Sequence, residues 1–230
     1  MSVYLSPQKI LKINVSLILF LLSANLLGII SRFYFDHDTV YGLIELFDFN
    51  KEKNIPALYS SIALVVVSVL LWSIAMIHKN LKLSYLMWLG LSLIFLFLAI
   101  DETSSIHERL GKPTRDVFKT SGLLYFAWII PYGIALVVFI VGYAKFLFNL
   151  PRNTMILFIV SGATFVSGAI GFEMLGGRQA YLYGANNVLY SIYYTCEEFL
   201  EMIGIAIFIY TLLSYMVDQF GYIKITLSKQ

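Results

Sequence analysis

Apolar residues run along this chain in six long blocks separated by short polar stretches. Neither the alternation of a half-buried strand nor the stripe of a surface helix survives inside them. Residues 83–100 are 18 apolar or small positions, but for a few hydroxyls, ending at Asp101, and residues 155–172 are 18 more ending at Glu173. Residues 199–217 are similar and are interrupted only by Glu201. At 1.5 Å per residue each block covers about 27 Å, close to the roughly 30 Å of bilayer hydrocarbon. The pattern predicts an all-α polytopic membrane protein: one transmembrane domain over residues 1–230, a six-helix bundle. The helices are expected at about 13–33, 56–77, 83–108, 123–146, 154–174 and 186–217. Pro56 opens the second helix, where a missing N–H costs nothing. Gly111 and Pro113 end the third, and Pro151 precedes the fifth. Pro131 lies inside the fourth and should kink it, an irregularity membrane helices tolerate.

Composition narrows the class further. The chain is 59% hydrophobic and 13% charged, against about 25% charged in ordinary soluble domains, so no large soluble domain fits. One cysteine, Cys196, excludes an internal disulfide and a thiolate-rich metal centre. The block after Lys9 and Lys12 is long for a signal peptide and lacks a small-x-small cleavage site, so a retained first helix is expected. Phosphate-cradling glycine motifs, a Gly-x-Ser-x-Gly elbow and a His-Glu-x-x-His zinc signature are all missing, and nothing points to nucleic acid.

Six spans put both termini on one side. That side holds Lys9, Lys12, Lys79, Lys82, Lys145, Arg152, Lys224 and Lys229 against one acid, Asp218; the other side holds eight basic residues and thirteen acids. Counted as Lys and Arg alone the sides tie, and acids weigh little in setting orientation. The short, purely basic turns make the terminal side the expected cytoplasm of a cell inner membrane.

The acids carry the candidate chemistry. Asp101, Glu102, His107 and Glu108 follow one apolar block; Glu197, Glu198 and Glu201 open another; Glu173 ends a third. All fall at one depth, near the extracytoplasmic boundary. Continued as one helix, Asp101, Ser105 and Glu108 share a face, as do Asn186, Tyr190, Glu197 and Glu201 in the sixth. Ionisable groups bordering hydrocarbon are costly and mark functional sites. Several carboxylates in low dielectric need a bound cation, retained protons or basic partners; the local basic candidates are Arg109, Lys112, Arg178 and His107. Oxygen donors with one imidazole suit Mn, Fe, Zn or Ca. Asp101, Glu102, His107, Glu108, Glu197, Glu198 and Glu201 are therefore the expected ligands or proton carriers of a divalent metal site. Glu173 and Glu52 form a second tier, and the loop carrying Asp48, Glu52 and Asn54 is positioned to fold over them. The usual Glu-x-x-His spacing of carboxylate-bridged dimetal bundles is absent, and a second imidazole could come only from His37.

Other features read plainly. Asp36-x-Asp38 has too few following acids for a calcium loop. Ala163-x-x-x-Ser167-x-x-x-Gly171 is a small-residue face expected to pack in the core, or less simply to form a homodimer seam. The Tyr183–Tyr194 region, with Tyr181, Tyr190 and Tyr193, suggests an interfacial aromatic belt. Cys196 reads as a small packed side chain.

The segments FDFNKEKNIPALYSS, AIDETSSIHERL and EEFLEMIG together resemble a family of uncharacterised bacterial multi-pass membrane proteins, over roughly residues 45–210. The resemblance implies that Glu52, Asn54, Asp101, Glu102, His107, Glu108, Glu197, Glu198 and Glu201 fall in the recurring segments of that family. It implies no activity.

The expected function is a cation site at the extracytoplasmic end of the bundle, either of a metal-dependent enzyme acting on a lipid-like substrate from the bilayer or of a cation or proton transporter or channel. A structural subunit of a larger membrane complex, or a homo-oligomer, is the third class. The cytoplasmic halves of the spans offer only Asn25, Ser, Thr and Tyr as polar stations, which weighs against a through-path.

Overall fold

The computed structural model describes residues 2–4, 6–221 and 224–226, with side chains from residue 6 to residue 221. In chain order the helices are α1 (Pro7–Tyr34), α2 (Leu43–Phe47), α3 (Ile55–Asn80), α4 (Leu86–Ser104), α5 (Ile106–Phe118), α6 (Ile129–Phe148), α7 (Arg152–Val166), α8 (Glu173–Tyr183) and α9 (Val188–Phe220). A π-helical stretch, Ser167–Phe172, joins α7 to α8 into one continuous rod. Six helical segments are long and apolar enough to cross a membrane, so the chain is an all-α, multi-pass membrane protein. Strand β1 (Ser2–Tyr4) pairs antiparallel with β2 (Lys224–Thr226), three residues each. This minor addition to the helical fold brings both termini to one end of the bundle.

Local chemistry sets the helix starts. Asn54 caps α3, its Oδ1 accepting the Ala57 N–H at 3.1 Å, with Pro56 in the first turn. Asn187 caps α9 in the same way through the Tyr190 N–H at 2.9 Å. Each cap satisfies an N–H that the helix itself leaves free.

The architecture centres on α9. It has 33 residues, about 50 Å of helix, and so extends beyond the hydrocarbon. Against it pack α1, α3, α7, α8 and the π-helical stretch. Leu64, Val67, Leu71 and Ile74 of α3 meet Trp88 and Leu91 of α4 and Ile205, Phe208, Ile209 and Leu212 of α9 in the main core. Ile18 and Leu21 of α1 pack with Met202 and Ala206 in a second core. Helix α6 is peripheral: only Ile129 of it is buried, and Val137, Val138 and Val141 face outward.

Apolar surface alone does not drive helices together in lipid, so close backbone approach and interhelical hydrogen bonds hold the bundle. Gly204 is one such approach, since a Cβ there would lie 2.8 Å from the Phe165 backbone nitrogen. Ser68 and Ser92 clasp α3 to α4: each hydroxyl donates to the other residue's carbonyl, at 2.8 and 2.9 Å. Asn25 of α1 donates to Thr195 Oγ1 of α9 at 2.9 Å and accepts the Phe49 N–H at 3.0 Å.

Four local expectations are corrected. The third span does not run to residue 108. It breaks at Ser105, a left-handed residue (φ 51°, ψ 47°), and α5 restarts beyond it, running through Gly111 and Pro113 rather than ending there. Pro131 does not kink the fourth helix, because α6 starts at Ile129 and places the proline in its first turn, where no N–H is needed. The Ala163, Ser167 and Gly171 face is exposed, while the buried small residues of that rod are Thr154, Ser161, Gly168, Gly176 and Gly177. Asn25 lies toward the acidic end, not in the half of the bundle nearer the termini, as its bonds to Phe49 and Thr195 require.

Candidate functional site

The break at Ser105 shapes one side of the site. In an unbroken helix Asp101 and His107 would point in widely different directions. Because the chain turns, Asp101 Oδ1 accepts the His107 backbone N–H at 2.8 Å and lies 3.3 Å from its ring Nδ1. Asp101 is buried, and its other oxygen accepts the Tyr132 hydroxyl at 2.9 Å. The imidazole packs edge-on to Trp128, 4.9 Å between centroids. Burial alone would push His107 down, but the Asp101 hydrogen bond and charge, with Glu52 and Glu102 behind them, hold it above its ordinary value.

The second side is built where the π-helical stretch meets α9. Gly168 lets the two backbones touch: a Cβ there would lie 2.5 Å from the Glu197 carbonyl oxygen and 3.1 Å from Glu201 Cγ. One turn on, the Glu173 carboxyl accepts the Trp128 indole N–H at 2.8 Å and has the Glu197 carboxyl as a neighbour. Single π-helical turns inside α-helices recur at functional sites.

The loop before α3 supplies the third element. Arg32 pairs with Asp48 at 2.9 Å, the Asn54 amide donates to the Asp48 carbonyl at 2.7 Å, and Asn25 holds Phe49. Asp48 and Asn54 are thereby used in anchoring the loop rather than as added oxygen ligands. Glu52 does turn inward. Its Oε2 is buried without a hydrogen-bond partner. Burial, then Glu108, push its carboxyl above the usual carboxylate range, against the opposing pull of His107 and Lys53.

Of the expected site residues, Glu102, His107, Glu197, Glu198 and Glu201 are half-buried, Asp101 is buried and Glu108 is exposed at the rim. The acids acting on Glu198 are, in order, Glu102, Glu201, Glu52 and Glu173; those acting on Glu201 are Glu102, Glu173, Glu52 and Asp101. Among the described residues the ion pairs are Arg32–Asp48, Lys51–Glu45 and His107–Asp101, so Arg109, Lys112 and Arg178 neutralise none of these acids. Arg115 instead lies over the Tyr125 ring, 4.2 Å from its centroid. His37 is exposed, its ring Nδ1 2.6 Å from the Phe35 carbonyl, and so supplies no second imidazole. Among the described residues no group of three His, Cys, Asp or Glu is arranged to hold a metal ion. The side chains meet as pairs rather than as a closed ligand shell.

Two participants carry no sequence signal. Trp128 and Tyr132 precede or open α6 in the apolar run FAWIIPYG, and only the packing of that segment against α5 and α8 turns their N–H and O–H toward Glu173 and Asp101. Tyr190 and Tyr194, read in sequence as part of an interfacial belt, are buried, while Tyr181 and Tyr183 are exposed.

A family described as a domain of unknown function, DUF8692, matches residues 15–216. The chain belongs to that family. No curated protein and no solved structure matches it. The matched range takes in all three recurring segments and every residue of the site.

Proposed function

We propose that this multi-pass membrane protein binds a divalent cation between Glu52, Asp101, Glu102, His107 and the Glu197–Glu198–Glu201 face of α9, with Glu173 beside it and Glu108 at the rim. The supporting observation is that carboxyls from a loop and three spans act on one another while no Arg or Lys pairs with any of them. Charges so placed need compensation, and a hard or borderline cation such as Mn, Fe, Zn or Ca supplies it. A bound divalent metal activates water or polarises an oxygen, and a lipid-like substrate reaches this depth sideways from the bilayer. In this reading the protein is a metal-dependent membrane enzyme of a bacterial inner membrane, termini in the cytoplasm.

A cation or proton path is the second reading, favoured by one observation. The Glu173 and Glu197 carboxyls are neighbours, and two carboxyls brought together away from water keep a proton between them. Against it, Asp218 is the one acid assigned to the terminal side.

Elemental analysis of the purified full-length protein tests the first reading. The expected result is a stoichiometric divalent metal, lost in Glu197→Gln/Glu201→Gln. No metal in the wild type, and no change in thermal stability on adding any of the four, sinks it. A stoichiometric protein partner without metal would point to a subunit of a membrane complex instead.

A further inference from the structure

Beyond the acidic site, a cavity of about 220 Å³ opens on the outside of the bundle between α8 and α9, lined by Leu175, Arg178, Gln179, Leu182, Tyr183 and Tyr193. Its chemistry is divided. Leu175 and Leu182 are exposed apolar side chains. Arg178 is exposed and, among the described residues, makes no ion pair, and the Tyr183 and Tyr193 hydroxyls make no hydrogen bond there. Gln179 is held by Asn187 at 3.0 Å, which fixes the wall of the cavity at the turn into α9.

Depth says what would meet this surface. The apolar block of the α7–α8 rod ends at Glu173. Arg178 lies five residues further along, about 7–8 Å at 1.5 Å per residue. The polar layer outside the hydrocarbon is roughly 5–8 Å thick on each side, so the guanidinium lies at the level of lipid phosphates. One turn back along the rod from Leu175 is Gly171, exposed and with open space where a side chain would stand. Below the cavity, the exposed Leu175 and the bare backbone at Gly171 leave that side of the rod open to an acyl chain. The volume is below the roughly 300–1,000 Å³ of sites that enclose a whole drug-sized ligand. It suits a headgroup whose tails remain in the bilayer.

We propose that this cavity is a phospholipid site: Arg178 takes the lipid phosphate, Tyr183 and Tyr193 donate to its oxygens, and an acyl chain lies along Leu175 and Gly171. Arginine's fork of donors matches phosphate oxygens, and the bonds are charge-assisted. The site is independent of the cation reading, because it shares no residue with it.

Native mass spectrometry of the full-length protein in detergent, titrated with palmitoyl-oleoyl phosphatidylglycerol, tests the proposal. The wild type should retain one phospholipid per chain after removal of bulk lipid. Arg178→Gln should bind at least tenfold more weakly, Arg178→Lys should lose less, and Arg109→Gln, an exposed arginine at the same end, should match the wild type. Equal retention by wild type and Arg178→Gln, or an equal loss in Arg109→Gln, overturns it. So does equal retention of the phosphate-free diacylglycerol, which would make the contact apolar only. Displacement of the lipid by millimolar glycerol 3-phosphate would show a soluble phosphate site instead. Thermal unfolding of each variant separates loss of the site from loss of the fold, and Tyr193→Phe, expected to weaken binding by a smaller factor, gives a second reading should Arg178→Gln not fold.

Discussion

Asp101 Oδ1 accepts the backbone N–H of His107 at 2.8 Å across the left-handed turn at Ser105. One carboxylate thus caps the first turn of α5 and steadies the imidazole. A helix that breaks near the membrane surface exposes unpaired N–H groups, and Asp101 supplies the acceptor that Ser105, with no side-chain cap bond, does not. Two variants separate this role from cation binding. Asp101→Asn keeps an oxygen for the His107 N–H but gives up the charge beside the imidazole, so in metal-free protein it should lower the melting temperature by less than the alanine variant does, while weakening cation binding. Asp101→Ala leaves the His107 N–H and the Tyr132 hydroxyl unpaired and should cost about 2–4 kcal/mol. Equal melting of the two variants would contradict the capping role.

Gly168 is the contact on which the second side of the site depends. A Cβ there would press on the Glu197 carbonyl oxygen at 2.5 Å, which is backbone and cannot swing aside. Gly168→Ala must therefore push the rod away from α9 and part Glu173 from Glu197. The expected cost is about 1–3 kcal/mol, read as a lower melting temperature together with reduced cation binding. Gly171→Ala, three residues along with nothing within 4 Å of the added atom, should stay within about 0.5 kcal/mol of wild type. If both substitutions behave alike, the close approach is not what positions the site.

Comparing these two glycines also shows what could be read from the chain and what could not. The six spans were legible because apolar block length is a one-dimensional property, and the depth of the acids followed from it. The face each residue presents was less so. The small-residue face chosen by i, i+4 spacing, Ala163–Ser167–Gly171, is exposed, because spacing identifies a stripe but not its partner, and a π-helical stretch shifts the register part-way along. The break after Thr103-Ser104-Ser105 had a signal, three poor helix formers in a row, but the apolar block and Gly111 beyond it suggested a longer helix. Trp128 and Tyr132 had none: an aromatic in an apolar run reads as core until a neighbouring carboxyl is placed beside its polar tip. Glu52 and Asp48 lie four residues apart in one loop and take opposite roles, one turned inward and one tied to Arg32, a division set by tertiary contacts alone.

Asn25 ties that loop to the bundle. Its amide donates to Thr195 and its carbonyl accepts from Phe49, with the residue 2% exposed. Interhelical hydrogen bonds in membrane proteins average about 0.6 kcal/mol and reach about 1.7, so Asn25→Leu should lower stability by about 1 kcal/mol and no more than about 2. The larger effect is local. Amide exchange over residues 48–54 should quicken while that of the α3–α4 contact stays as it was. Uniform quickening across the helices would mean that Asn25 holds the whole bundle rather than the loop.

Glu52 gives the prediction with two opposite signs. Its inward oxygen is buried without a partner, and Glu108 and Asp101 are the acids that press on it, opposed by His107 and Lys53. Burial and those acids raise its folded-state value above that of the unfolded chain, so its contribution to stability is fully present at low pH and is lost as pH rises through the folded value. In chelator, Glu52→Gln removes the disfavoured charge, so at neutral pH the variant should melt above wild type, by about 2–4 °C for each kcal/mol gained, and should flatten the fall in stability between acid and neutral pH. With a divalent cation added the order should reverse, because the wild type gains a ligand oxygen's worth of binding that the amide supplies more weakly. Melting curves of both proteins with and without cation decide it: a variant less stable than wild type in chelator would mean that Glu52 is held by favourable contacts rather than strained against its neighbours, and the acidic loop would then be a structural plug instead of the outer wall of a cation site.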